Sequence, residues 1–172
     1  GLKVSTRVKK AAVLSDDGVY RYLLTRRWGN LGSRMLWVML NPSTADATTD
    51  DRTISQCIGF SQRAGASGLS VVNLYALRST DPKVLLEHPD PVGSQNLDWV
   101  RAEASVCFSV VYAWGAHKAA TPLVVERTMQ AVMESNPRLE PVCLGTNKNG
   151  SPKHPCRLSP ATRFTLMLAK NT

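Results

Sequence analysis

The 172-residue chain lacks most of the short signatures that name a chemistry outright. There is no G-x-G-x-x-G, no Walker loop, no H-E-x-x-H and no G-x-S-x-G. The usual sequence warrants for dinucleotide binding, P-loop phosphate binding, zinc proteolysis and α/β-hydrolase chemistry are therefore missing. Cysteine is scarce and scattered: Cys57, Cys107, Cys143 and Cys156 stand in different segments, and none forms a C-x-x-C pair. That spacing excludes a zinc-finger type of site, so free thiols in a reducing compartment are expected and no metal or cofactor. No apolar run approaches the roughly 18 residues of a membrane span. The opening GLKVSTRVKK carries no apolar stretch of the kind that begins a secretory leader. These absences lead to the expectation of a cytoplasmic monomer without membrane contact.

Negative charge is also missing where it would matter. No Asp or Glu follows Glu140, whereas Lys148, Lys153, Arg157, Arg163 and Lys170 do. In the first 45 residues Asp16 and Asp17 are the only acids, and the formal net charge is +8, from 21 Lys and Arg against 13 Asp and Glu. A chain basic at both ends suits a polyanionic partner, and DNA, double- or single-stranded, is the expected one. What is present in quantity is apolar surface. The hydrophobic share of 43% supports a real core, and one domain over residues 1–172 is expected.

Apolar periodicity divides the chain into alternating strands and helices. "AAVLSDDGVYRYLLTRRW" reads as a hairpin about Asp-Asp-Gly. "MLWVML", "GLSVVNLYAL", "VCFSVVYAWG" and "LEPVCLG" are apolar runs, as expected of core strands covered on both faces. Helices are expected over "DRTISQCIGFSQRAG", with Asp50 or Asp51 as N-cap and Gly65 at the end, and over "DPKVLLEH", "SQNLDWVRAEA", "TPLVVERTMQAVMES" and "SPATRFTLMLAK". This pattern predicts an α/β three-layer sandwich: a mostly parallel sheet of about four core strands, helices on both faces, and an N-terminal β-hairpin.

Ligands of such sheets bind at the carboxyl ends of the strands. Here the first core strand ends in Asn41-Pro42-Ser43, the second in Asn73-Leu74-Tyr75 and the third in Trp114-Gly115-Ala116-His117. The fourth opens into "GTNKNGSPKHPCRLS", with His154. Asn41, Asn73, His117 and His154 are thus expected along one sheet edge. Pro42 stiffens its turn and forces Asn41 into an extended conformation. Asn73 needs partners inside a buried strand, or it costs roughly 1–3 kcal/mol. A neutral His154 can donate one hydrogen bond to a developing anion, its protonation opposed by flanking cations. Asp46, Asp50 and Asp51 are the carboxylates nearest the Asn-Pro elbow, candidates to activate a water or hold a metal; a metal-dependent nuclease or phosphoesterase is the alternative they support. A non-catalytic nucleic-acid module is the other alternative.

Four segments, in order over residues 35–164, resemble the uracil-DNA glycosylase superfamily: "MLNPS", "VVNLYALRST", "VVYAWGAHKAA" and "HPCRLSPATRF". "MLNPSTAD", a following "DD" and "VVNL" are still more similar to a bacterial and phage family known only as a domain of unknown function. The glycosylase resemblance implies a DNA glycosylase: Asn41 positions a water at the sugar C1′, with Asp46 or Asp50 assisting. His154 donates to the base, and Asn73, with Ser43 and Tyr75, holds the flipped base. Lys148, Lys153, Arg157 and Arg163 would lie near phosphates. Cys156-Arg157 stands where the family has Ser-Pro, and no clear aromatic follows the Asn-Pro elbow. Both departures, with the small Ser43, Thr44 and Ala45, turn the expectation from plain uracil towards a modified base.

Overall fold

The computed structural model describes residues 8–30 and 32–167. The N-terminal stretch 1–7, where a leader would begin, and Lys170 lie outside the described residues. The hairpin forms between β1 (Lys9–Leu14) and β2 (Arg21–Arg27). Its turn is closed by Asp17, whose Oδ1 accepts from Ser15 Oγ and Val19 N, and by Gly18 at φ +72°, a value that favours glycine.

The parallel core consists of β3 (Arg34–Met39), β4 (Gly68–Asn73), β5 (Ser109–Tyr112) and the short β6 (Val142–Cys143). β3 is central, with β4 on one side and β5 then β6 on the other. β2 adds antiparallel to β4, and β7 (Thr165–Leu166) adds antiparallel to β6, giving the order β1-β2-β4-β3-β5-β6-β7 among the described residues. The chain therefore leaves β3 first towards β4 and later returns to its other side as β5. That reversal opens a crevice beside the carboxyl end of β3.

Alternation along β3 supplies both faces. Leu36, Val38 and Leu40 pack with Val100 and Ala104 of α3 (Asn96–Val106) and Val124, Ala131 and Val132 of α4 (Pro122–Ser135). Met35, Trp37 and Met39 pack with Ile54, Cys57 and Phe60 of α1 (Arg52–Arg63). Trp37 is fully buried; its indole N–H donates to Ser61 Oγ at 2.9 Å, and its ring lies 6.3 Å from Phe60 and 6.0 Å from Phe164. Burying such a side chain contributes about 1.5–3 kcal/mol. A helix layer on each side of the sheet is what uninterrupted apolar strands require.

Three expectations need correction. "SPATRFTLMLAK" is not a helix over its described part. Ser159 makes a local turn, its Oγ accepting from Ala161 N, and Thr165 and Leu166 pair with Cys143 and Val142. The open edge of β6 offers backbone partners there, and Phe164 is drawn into the Trp37 cluster. "DPKVLLEH" gives only the single turn α2 (Val84–Glu87), because Asp81 caps Lys83 N in a local turn and His88 is extended before Pro89. The sheet also has seven strands rather than about four, since both antiparallel edges extend it.

Two features of β2 shape the region above α1. Arg26, fully buried, fastens the loop before α1: its Nε donates to Asp50 Oδ1 at 2.7 Å, Nη2 to Asp46 O and Thr49 O, and Nη1 to Thr25 O and Ala11 O. Pairing with β1 then slips by one residue, from Val13↔Leu23 to Leu14↔Arg21. Leu23 belongs to the α3/α4 face, so strict alternation would place Arg21 there too. The slip turns Arg21 to the α1 side, where its Nη1 donates to Ala45 O at 2.8 Å.

Candidate functional site

A cavity of about 300 Å³ opens at the carboxyl ends of the parallel strands. Asn41, Asn73, His117 and His154 all line it, together with Ser43, as the strand-end reading requires. Each arrives by a different local device.

The Asn41-Pro42 elbow is a clamp. Asn41 Nδ2 donates to Ser79 O at 2.9 Å and Pro42 O at 3.1 Å, while Ser79 N donates back to Pro42 O at 3.0 Å. The end of β3 is thereby fastened to the segment that follows β4. No donor among the described residues reaches Asn41 Oδ1, so its acceptor remains for a ligand or a water. Asn73, the last residue of β4, is 1% exposed, and its Nδ2 has no hydrogen-bond partner. Its backbone carbonyl is held by Asn96 Nδ2 at 2.8 Å, so the strand end is fixed while the side-chain amide is left to a guest.

Two histidines enter in the same way. His154 Nδ1 accepts from Cys156 N at 3.1 Å, and His117 Nδ1 accepts from Ala119 N at 3.0 Å. With Nδ1 occupied as an acceptor, the neutral ring carries its proton on Nε2 as a donor. Burial lowers the His154 pKa below the ordinary histidine value, against the opposing charge of Asp51. Desolvation, rather than the flanking cations expected from the sequence, keeps this ring neutral. Gly115 stands behind it at φ +82°, and a Cβ there would lie 3.4 Å from His154 Cβ. Gly115→Ala is expected to cost about 1–2 kcal/mol from the left-handed backbone alone and to displace His154; a thermal melt checks the first and base-binding affinity the second.

The carboxylate at the cavity is Asp51. Its Oδ1 caps α1 by accepting from Ile54 N at 2.9 Å, and its Oδ2 accepts from Ser43 Oγ at 3.0 Å and Ala45 N at 3.4 Å. Asp46 and Asp50 do not line the cavity. Hydrogen bonds from Thr48 and Thr49 N–H groups hold the Asp46 carboxyl below the usual range. Asp50 feels burial, which would raise it, but its bonds to Arg26 and Lys10 prevail and keep it low. The three acids thus hold three different pieces of backbone or side chain, and no group of His, Cys, Asp and Glu among the described residues has the geometry to hold a metal ion. Tyr75 is also elsewhere: it is buried, with its hydroxyl donating to Ala119 O at 2.7 Å.

The basic candidates surround rather than line the cavity. Lys148, Arg157 and Arg163 are exposed and Lys153 is half-buried. Arg157 has φ 71°, an uncommon conformation for a residue with a side chain, three positions from His154. Trp114, from the end of β5, supplies an aromatic wall that the elbow itself lacks. Arg21 is the lining residue that the sequence did not suggest, because only the slipped register brings it here. Among the described residues no helix is long and apolar enough to cross a membrane.

No curated protein matches the chain. A family model described as "Protein of unknown function (DUF1643)" matches residues 21–156, a span that begins at Arg21 and takes in Asn41, Asp51, Asn73, His117 and His154. The chain belongs to the DUF1643 family.

Proposed function

We propose that the protein receives a nucleobase swung out of DNA into this cavity and hydrolyses its N-glycosidic bond, on a scaffold of the uracil-DNA glycosylase kind. The observation that carries this reading is Asn73: a buried amide with a free N–H₂ edge in a cavity of about 300 Å³. An unsatisfied buried donor costs about 1–3 kcal/mol. Such a group is tolerated where a ligand with matching acceptors fills the space, and the hydrogen-bonding edge of a base offers them.

The neighbours suit the chemistry. Glycosidic cleavage builds negative charge on the leaving base and positive charge on the sugar. The Nε2–H of a neutral His154 is a donor for the first, and the Asp51 carboxylate is a counter-charge for the second. Asn41, its N–H₂ fixed by Ser79 and Pro42, has Oδ1 left to orient a water; an amide is no base, so its contribution is positioning. The exposed Lys148, Arg157 and Arg163 and the lack of acids after Glu140 favour a polyanion around the mouth.

Mass spectrometry of bases released from DNA bearing a panel of modified nucleobases tests the proposal. Base release that persists in EDTA is expected. Asn73→Leu is expected to lower kcat/KM about 10–100-fold, equivalent to about 1–3 kcal/mol, with Tm unchanged or higher because an unpartnered amide is removed. Failure to release any base, with DNA binding that survives Asn41→Ala and His154→Ala, would replace the enzyme by a non-catalytic DNA-binding module.

A further inference from the structure

Arg21 is 2% exposed, yet among the described residues no carboxylate forms an ion pair with it. Its Nη1 is engaged by Ala45 O, while Nε is buried without a partner. Its backbone N–H is tied to Ala76 O at 2.9 Å, so the residue is fixed at its base. A structural role, fastening the elbow loop through Ala45, needs only Nη1. The Nε–Nη2 edge of a guanidinium is a planar fork that matches two adjacent acceptor atoms. Burial draws its pKa down to about 10, opposed by the charge of Asp51, and the group remains a cation at neutral pH. Across the described wall the donors are Arg21, Asn73 and the two histidines, with Asp51 the single acid. A desolvated cation with one protein acceptor calls for an anionic guest.

We propose that Arg21 is a specificity-determining residue whose free guanidinium edge selects a nucleobase bearing a negatively charged two-oxygen group, such as a carboxylate, over its neutral counterpart. This rests on the base-binding reading and narrows its substrate class. DNA phosphates do not meet the requirement, because Arg21 is buried and the anion must ride on the part of the ligand that enters the cavity. The slipped pairing of β1 and β2 is the device that builds the subsite, since it alone turns Arg21 to this face.

Calorimetric titration of the whole chain with free bases provides the test, using uracil, its carboxylate-bearing isomers orotate and 5-carboxyuracil, and inorganic phosphate. At least one carboxylate-bearing base is expected to bind ten-fold or more tighter than uracil. Arg21→Gln is expected to abolish that preference, and Arg21→Lys to restore it only in part because the fork is lost. The wild-type comparison stands even where a variant fails to fold. Equal affinity for uracil and both carboxylates would overturn the selectivity while leaving base binding intact. Phosphate binding as tightly as either carboxylate would also overturn it, marking a general anion site. Binding of no base at all would overturn the inference, and base release from DNA would then decide the broader proposal separately.

Discussion

Replacing His154 by alanine is expected to lower base release about 10²–10³-fold, the usual consequence of removing one donor from a site that stabilises developing negative charge. The loss should fall on kcat more than on KM, because the Nε2–H bond strengthens as the base departs. The pH profile separates this from general acid catalysis by an imidazolium. Burial holds the His154 pKa below the ordinary histidine value, so the ring stays neutral as pH rises through 7. Activity is expected to be level across that range and to fall only under acid conditions. Stability carries the same sign. The unfolded ring binds a proton more readily than the folded one, so the protein loses stability as pH falls below the ordinary histidine value, until the buried ring is itself protonated. His154→Ala should remove that acid-side slope in a series of melts, whatever its effect on catalysis.

Arg26→Met is expected to give the largest loss of stability, about 3–5 kcal/mol. The methionine keeps an apolar stem but abandons Asp50 and the carbonyls of Asp46, Thr49, Thr25 and Ala11. For a chain of this size that corresponds to a fall in Tm of roughly 10 °C. Arg26→Lys should rescue little, because one ammonium cannot reproduce the planar fork. The loop of residues 46–50 leads into Asp51, so base release should fall along with Tm. Asp50 has a depressed pKa, so the Arg26–Asp50 contribution is present above the ordinary carboxylate range and is lost as pH falls through it. Wild type and Arg26→Met should therefore converge in stability in strong acid.

Much of the cavity is legible from strand ends. Asn41, Asn73, His117 and His154 terminate apolar runs of a parallel sheet, and every such run delivers its last residues to one edge. Their meeting follows from topology alone. Asp46 and Asp50 look equally suited by spacing, but short-range hydrogen bonds settle which acid faces the cavity. Asp46 folds back on Thr48 and Thr49, Asp50 is captured by Arg26, and Asp51 remains to cap α1. Such choices depend on side chains brought from β2, distant in sequence. Tyr75 has the right position for a strand-end residue and the wrong face, its hydroxyl spent on Ala119.

By itself the sequence determines the alternation of strands and helices, the two-faced core, the basic surround and the strand-end polar residues. Each of these is a local or periodic property that burial enforces wherever the chain folds. Only the tertiary structure decides that residues 165–166 pair with β6 instead of continuing a helix, and that a one-residue slip against β1 carries Arg21 to the cavity. Both outcomes turn on which backbone edge or neighbour is available across space. No periodicity within the segment itself contains that information.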